Sequence, residues 1–236
     1  MINVAVLGVS GRMGSTVVNA IGLAPDLALV TDVSDAAVAV EFTVPSATEA
    51  NVHALIDAGV HAVVGTSGWT DDALARVREH LADAPSVGVL IAPNFALSAV
   101  LSMRFAALAA PYFESVEIVE LHHPDKIDAP SGTALHTAKG VAAARAAKGV
   151  GPSPDATTHD PDGARGAVVD GVRVHSVRLR GLTAHEEVLL GNPGEQLTIR
   201  TDSFDRSSFM PGVLLGIREV AAHPGLTVGL DGYLAL

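Results

Sequence analysis

Between Glu120 and Ala134 the chain reads Glu-Leu-His-His-Pro-Asp-Lys-Ile-Asp-Ala-Pro-Ser-Gly-Thr-Ala. His122, His123 and Lys126 bring two imidazoles and an ammonium within five residues. An imidazole moves a proton near neutral pH, and an ammonium neutralises an anion or gives up a proton. Ser131, Gly132 and Thr133 follow and read as the start of a helix. Ser131 is the expected N-cap, and the amides of Gly132 and Thr133 are expected donors to an anion such as a carboxylate. The group predicts a site where an anionic substrate exchanges a proton. A strand-end histidine pair beside a solvated lysine explains any one of these residues, but it explains the whole cluster poorly. Two adjacent histidines and an aspartate are a poor zinc spacing, so no metal is expected.

A second constellation opens the chain: Gly8-Val9-Ser10-Gly11-Arg12-Met13-Gly14. It follows an apolar strand signal and precedes a helical one. Glycines there let the backbone turn tightly and approach a pyrophosphate seated on the helix N-terminus. The spacing is G-x-x-G-x-x-G rather than G-x-G-x-x-G, an imperfect match to the dinucleotide fingerprint. A turn that binds nothing is the competing reading. Asp32 stands about where an acidic residue would hold the ribose hydroxyls, and it reads equally as a surface acid. Gly65-Thr66-Ser67-Gly68 and Ala92-Pro93-Asn94-Phe95 each follow a further strand signal. In a doubly wound sheet such strand ends line the ligand crevice.

The elements that must position these groups alternate through the first 95 residues. Apolar, valine-rich runs at 2–9, 27–31, 36–43, 61–66 and 86–93 predict strands. Helical patterns lie between them at 13–24, 47–58, with a turn at Pro45–Ser46, and 71–82, with Thr70 as N-cap. After a helix at 96–110 the pattern changes. A strand at 117–121 runs into the histidines, and a helix spans 131–147. A Gly/Pro/Asp-rich loop covers 149–166, and three strand-like runs follow at 172–179, 186–190 and 196–200. A helix at 211–221 and an apolar tail end the chain. The fold expected is α/β: an N-terminal Rossmann-like doubly wound parallel sheet, and a second α+β domain with a mixed, mainly antiparallel sheet. Asp202, Asp205 and Arg206 are expected to cap the last helix and form neighbouring ion pairs. His175 and His185 are expected in pairing or interface roles rather than in catalysis.

Composition removes several classes of function. There is no cysteine, which excludes disulfides, thiolate nucleophiles and Cys-based metal sites. The formal net charge of −11 repels nucleic acid and anionic membrane, so neither is an expected partner. Mean hydropathy is +0.36, yet the longest apolar stretch, 95–113, has Arg104 near its middle. A charge at a membrane helix centre costs about 2.5–3.5 kcal/mol, so no span is expected. The N-terminus has no basic start and reads as a strand rather than a secretory signal, which points to the cytoplasm. Only Lys126, Lys139 and Lys148 among the 15 basic residues are lysine, so a lysine inside a dense motif draws notice.

The stretch from Glu120 to Ala134 is similar throughout to the signature E-x-H-H-x-x-K-x-D-A-P-S-G-T-A of the dihydrodipicolinate reductase family. Gly8–Gly14, Glu41–Thr43, Gly65–Gly68, Ala92–Phe95 and Asp202–Gly212 also resemble family blocks. The His175–Leu182 run and the cysteine-free, arginine-heavy composition resemble actinobacterial members. The resemblance implies NAD(P)H-dependent reduction of 4-hydroxy-tetrahydrodipicolinate to tetrahydrodipicolinate with loss of water, in diaminopimelate and lysine biosynthesis. It implies NADH or NADPH as cofactor, a small dicarboxylate substrate and a homotetramer. It implies a cofactor domain from 1–94 and 205–236, and a substrate-binding and tetramerisation domain from 95–204. By motif position His122 would be the general acid/base and Lys126 the proton donor. His123, Lys126, Ser131, Gly132 and Thr133 would hold substrate. Gly8, Val9, Ser10, Gly11, Arg12, Met13, Asp32, Gly65, Thr66, Ser67, Ala92, Pro93, Asn94 and Phe95 would line the cofactor site. Two departures stand out: Ser67 where the family usually has threonine, and a segment from Leu27 to Glu41 about a dozen residues shorter than in relatives. Two competing readings are another two-domain NAD(P)-dependent oxidoreductase and a non-catalytic NAD(H)-sensing module. A sensor has no need of a proton donor, and amino-acid dehydrogenases do not require this cluster.

Overall fold

The computed structural model describes residues 1–234, so the last two residues of the 205–236 stretch lie outside the described residues. The chain divides into two compact units: Met1–Leu97 together with the chain from Arg206 on, and Ser98–Asp205.

The first unit begins with β1 (Ile2–Leu7), α1 (Arg12–Leu23), β2 (Leu27–Leu29) and β3 (Val38–Glu41). It continues through α2 (Pro45–Asp57), β4 (His61–Val64), α3 (Asp71–Leu81) and β5 (Gly88–Ile91). β3, β4 and β5 are buried along nearly their whole length, as strands covered on both faces must be. Their Val, Ala and Ile side chains pack with Val52, Leu55 and Ile56 of α2 and Val77 of α3. α3 starts as expected, with Thr70 Oγ1 accepting from the Ala73 amide and Asp71 and Asp72 in its first turn. α2 differs from the expected turn-then-helix: Pro45 sits inside the helix at its first position, where a missing N–H costs nothing.

In the second unit α4 (Leu97–Ala109), all but its first residue, leads to β6 (Ser115–His122) and α5 (Gly132–Ala147). Then come β7 (Ala167–Val169), β8 (Val172–Arg178), β9 (Ala184–Asn192) and β10 (Glu195–Ser203). The sheet order is β10-β9-β6-β8-β7; β6 pairs parallel with β8, and the other pairings are antiparallel. β6 alternates, with Val116, Ile118 and Glu120 on its buried face. That face packs on Ala134, Ala138 and Val141 of α5. The period places Glu120 and His122 in line with the apolar residues, at the end of the strand where the packing turns polar.

The chain then returns to the first unit as α6 (Met210–Glu219) and β11 (Gly225–Val228). β11 pairs parallel with β5, giving a six-stranded, all-parallel sheet of order β11-β5-β4-β3-β1-β2. Part of the tail that read only as apolar is thus a strand of this sheet. α6 has Phe209 at its N-cap position with no side-chain cap, and Asp202 bonds His185 and Arg200 instead. The expected ion pairing of Asp202 is there. No helix among the described residues is long and apolar enough to cross a membrane.

Candidate active site

The turn after β1 is shaped by backbone approach. Gly8 has φ +88°, and a Cβ there would stand 2.2 Å from the carbonyl oxygen of Phe42 at the end of β3. A Cβ on Gly14 would stand 2.0 Å from the Gly8 oxygen, so α1 lies against the turn it leaves. Gly11 caps α1 without a side chain, and the amides of its first turn need a partner from outside. Beside them runs a groove of about 340 Å³ lined by Gly11, Arg12, Met13, Thr43, Thr66 and Ser67, among others. A dinucleotide pyrophosphate fits this set: a helix N-terminus, three hydroxyls and a guanidinium.

The floor of that groove is polar and tied. Glu41 is fully buried, and its carboxylate accepts from Thr43 Oγ1, from Thr48 Oγ1 at 2.7 Å and from Asn51 Nδ2 at 3.2 Å. Thr66 Oγ1 in turn accepts from the Thr43 amide at 2.8 Å. The β3 and β4 ends are thereby locked side by side. Phe95 is buried against Phe42, ring centroids 5.9 Å apart, and Asn94 Oδ1 accepts from the Ala96 amide, so Ala92–Phe95 shapes the adjoining strand end. Arg206 also lines the groove. Read along the sequence it was a capping neighbour; only the return of the chain to this unit brings it here. Val9 and Ser10 are exposed at the turn. Asp32 stands apart from the groove lining: its Oδ1 accepts from the Ser34 amide and hydroxyl, and these bonds hold its carboxyl below the usual range.

In the second unit Glu120 is the hub. Its carboxylate is fully buried and takes both terminal nitrogens of Arg178 at 2.8 Å. It also accepts from the Ser131 amide at 3.2 Å, and His122 Nδ1 lies 2.5 Å from Oε2. Burial alone would raise this carboxyl; hydrogen bonds from Arg178, Ser176 and His122 outweigh it and hold it below its ordinary value. Burial lowers His122 against the pull of Glu120, so the imidazole is neutral at pH 7. A neutral ring donating from Nδ1 to a carboxylate presents Nε2 as the basic atom. Arg178 also donates to the Asp128 carbonyl at 2.6 Å, fastening the motif loop to β8.

Ser131 caps α5 as expected, its Oγ accepting from the Ala134 amide. The expected anion site at this helix start is met internally. Asp128 accepts from Lys126 Nζ at 2.7 Å; burial would raise its carboxyl, and Lys126, with a smaller pull from the nearby Gly132 amide, holds it below its ordinary value. His123 is exposed in the same loop. His122, Lys126 and Ser131 are therefore brought together in one network, with Gly132 next to Ser131 at the helix start. The sequence did not single out Glu120, Arg178 or Asp128 as parts of it. Glu120 had a legible signal, since a carboxylate two residues before a histidine on a strand shares its face. Arg178 had none, because its place depends on the β6–β8 pairing. His175 and His185 bond Glu117 and Asp202, in the pairing roles expected of them.

Comparison with known proteins covers the whole chain. The family model described as "Dihydrodipicolinate reductase, C-terminus" matches residues 98–234. The model described as "Dihydrodipicolinate reductase, N-terminus" matches 2–37 and 31–95, two pieces that meet inside the shortened segment. The 4-hydroxy-tetrahydrodipicolinate reductase of Beutenbergia cavernae is 66% identical over all of this chain and 99% of its own length. The Streptomyces avermitilis protein of that name is 57% identical over all of this chain and 98% of its own. The solved structure of dipicolinate-bound dihydrodipicolinate reductase from Paenisporosarcina sp. TG-14 has a TM-score of 0.88 at 34% identity, covering 99% of this chain and all of that one. An amine dehydrogenase from Mycobacterium smegmatis, 15% identical over 98% of this chain and 95% of its own at a TM-score of 0.58, shares the fold.

Proposed function

The chain belongs to the dihydrodipicolinate reductase family, and we propose, with that as premise, how its residues divide the reaction. The reaction is NAD(P)H-dependent reduction of 4-hydroxy-tetrahydrodipicolinate with loss of water, in diaminopimelate and lysine biosynthesis. The observation that carries the residue assignment is the Asp128 carboxylate, bound by Lys126 Nζ at 2.7 Å and favoured by the nearby Gly132 amide. The same donors suit a carboxylate of the substrate, which would replace Asp128 on them. His123, Ser131 and Thr133 complete the binding turn.

His122 acts at Nε2, taking or giving a proton while Nδ1 stays on Glu120. Lys126 supplies the proton that accompanies reduction, and its charge offsets that of the substrate. The first-turn amides of α1, with Arg12, Arg206, Thr66 and Ser67, hold the dinucleotide phosphates. Gly8 and Gly14 permit that approach, and Val9, Ser10, Gly11, Met13, Gly65 and Ala92–Phe95 line the rest of the cofactor site. When bound, the nicotinamide supplies the hydride. Asp32 remains the candidate for the adenosine ribose. The first unit is accordingly the cofactor domain and the second the substrate domain.

Two finer assignments complete the reading. The enzyme works in the cytoplasm, in keeping with a chain that has no cysteine to oxidise. It assembles as a homotetramer through the second unit, whose β10 has one long side unpaired among the described residues. The decisive assay supplies the product of dihydrodipicolinate synthase and follows NADH absorbance. Loss of absorbance that depends on both enzymes supports the reading, and none at saturating NADH and NADPH overturns it.

A further inference from the structure

Glu186 of β9 is a second buried carboxylate in this unit, and nothing in the proposed reaction uses it. It is the register partner of Glu120 across the β6–β9 ladder. Directly opposed side chains of such a pair have Cβ atoms about 4.5–5.5 Å apart. Glu186 is 3% exposed and Glu120 fully buried. Two carboxylates this near and this dry do not both ionise unless cations match them.

The cations are already committed. Of the groups that face Glu186, β6 offers Glu120 and His122, and His122 Nδ1 is on Glu120. β8 offers Arg178, whose two terminal nitrogens are both on Glu120. β10 offers Thr201, its register partner, while Arg200 and Asp202 alternate to the other face. α5 offers Thr137; His136 and Lys139 are on its exposed side, and Arg145 is spent on four backbone carbonyls. Among the described residues the one charge acting on Glu186 is thus the anion Glu120, and Glu186 Oε2 is buried with no partner.

Counting protons leads to the same state. Thr137 Oγ1 lies 2.8 Å from Glu186 Oε1 and 3.0 Å from the carbonyl oxygen of Thr133. A hydroxyl has one hydrogen. Against a carboxylate, Thr137 would face two acceptors with one proton. Against a carboxylic acid the chain closes: Glu186 donates to Thr137, and Thr137 donates to Thr133. Burial pushes the Glu186 carboxyl up to about 7, with the Thr137 contact opposing and the charge of Glu120 adding to it.

We propose that Glu186 is held as the protonated acid and is a positioning residue: its neutrality leaves Glu120 the only anion on this face, and so keeps Glu120 on His122, Arg178 and the Ser131 amide. The inference rests on the reading in which those groups frame the reacting site. Loss of the Glu186 proton puts a second anion opposite Glu120. It competes for Arg178, whose Nε is buried without a partner, and loosens the turn that binds the substrate carboxylate.

The test pairs a direct proton readout with kinetics. In infrared spectra of the intact protein, a carbonyl band of a buried carboxylic acid should be present at pH 6 and vanish with a midpoint near pH 7. It should be missing from Glu186→Gln at every pH. In wild type, kcat/KM for the dicarboxylate should fall through the same range. Glu186→Gln should match wild type within about twofold at pH 6 and move the fall upward by at least one pH unit. Glu186→Leu, neutral as well, should move it likewise if the Gln variant folds poorly. A band that persists in Glu186→Gln, or is absent from wild type, overturns the protonated state. A band that behaves as expected beside superimposable pH profiles overturns the positioning role. The infrared arm needs no turnover, so its result stands apart from the assigned reaction.

Discussion

His122 and Lys126 are held by different means, and the difference sets what each substitution should do. His122 leans on Glu120, a fully buried anion; Lys126 pairs with Asp128, whose side chain is half exposed. An exposed pair is worth about 0–1 kcal/mol, so Lys126→Ala should leave the fold intact. It should lower kcat on the order of 10²–10⁴-fold, as loss of a positioned acid does, with NADH affinity unchanged in a fluorescence titration. Glu120→Ala should behave otherwise. It strands the Arg178 guanidinium and the Ser131 amide, and breaking such a pair costs about 3–5 kcal/mol, visible as a lower Tm. Glu186 carries its own pH signature. Its folded pKa of about 7 lies above the unfolded 4.5, so the folded state binds the proton more tightly. Stability from this group is therefore lost as pH rises from about 4.5 to 7, by up to about 3 kcal/mol. The Tm of Glu186→Gln should gain on wild type between pH 5 and pH 8; a constant gap across that range would contradict the shift.

At the scale of elements, the proposed cofactor site rests on the β1–α1 turn and the β2–β3 connection. A Cβ on Gly14 meets backbone rather than a pliable side chain, so α1 must move away from the turn. Gly14→Ala should cost about 1–3 kcal/mol as an overpacked contact does, and weaken NADH binding more than substrate binding in equilibrium titrations. The β2–β3 connection carries Asp32, whose carboxylate repels a 2′-phosphate, while Arg12 on the groove attracts one. Opposed charges and a short connection leave the adenosine end weakly discriminating. NADH and NADPH should both be used, with kcat/KM ratios inside a thousandfold, about 4 kcal/mol. Initial rates with each cofactor check this.

At the scale of the molecule, the sheet of the second unit ends in a nine-residue strand with one side unpaired among the described residues. Leu197 on that strand is exposed, as are Phe105, Leu108 and Tyr112 elsewhere in the unit. Long open edges and exposed large apolar groups are removed from water in stable proteins by pairing. Light scattering at micromolar concentration should give four times the 24.1 kDa chain mass. Lysine at Leu197 should lower that mass; a monomer mass for the wild type would refute the assembly.

By itself the sequence determined the parallel α/β unit, the change of pattern after residue 95, the glycine turn and the His-His-Lys-Ser-Gly-Thr cluster. These are local: apolar period, turn residues and capping residues act within a few positions, and Thr70 and Ser131 cap the helices they were expected to cap. The rest came from pairing between distant segments. Gly225–Val228 is four residues long and mostly half-buried, too short for a period to mark it, and only its place beside β5 makes it a strand. Arg178 and Glu186 lie 58 and 66 positions beyond Glu120, yet strand register sets all three on one face of one sheet. Register is what decides which carboxylate holds the arginine and which must keep its proton, because charge in a dry interior depends on the nearest neighbours in space.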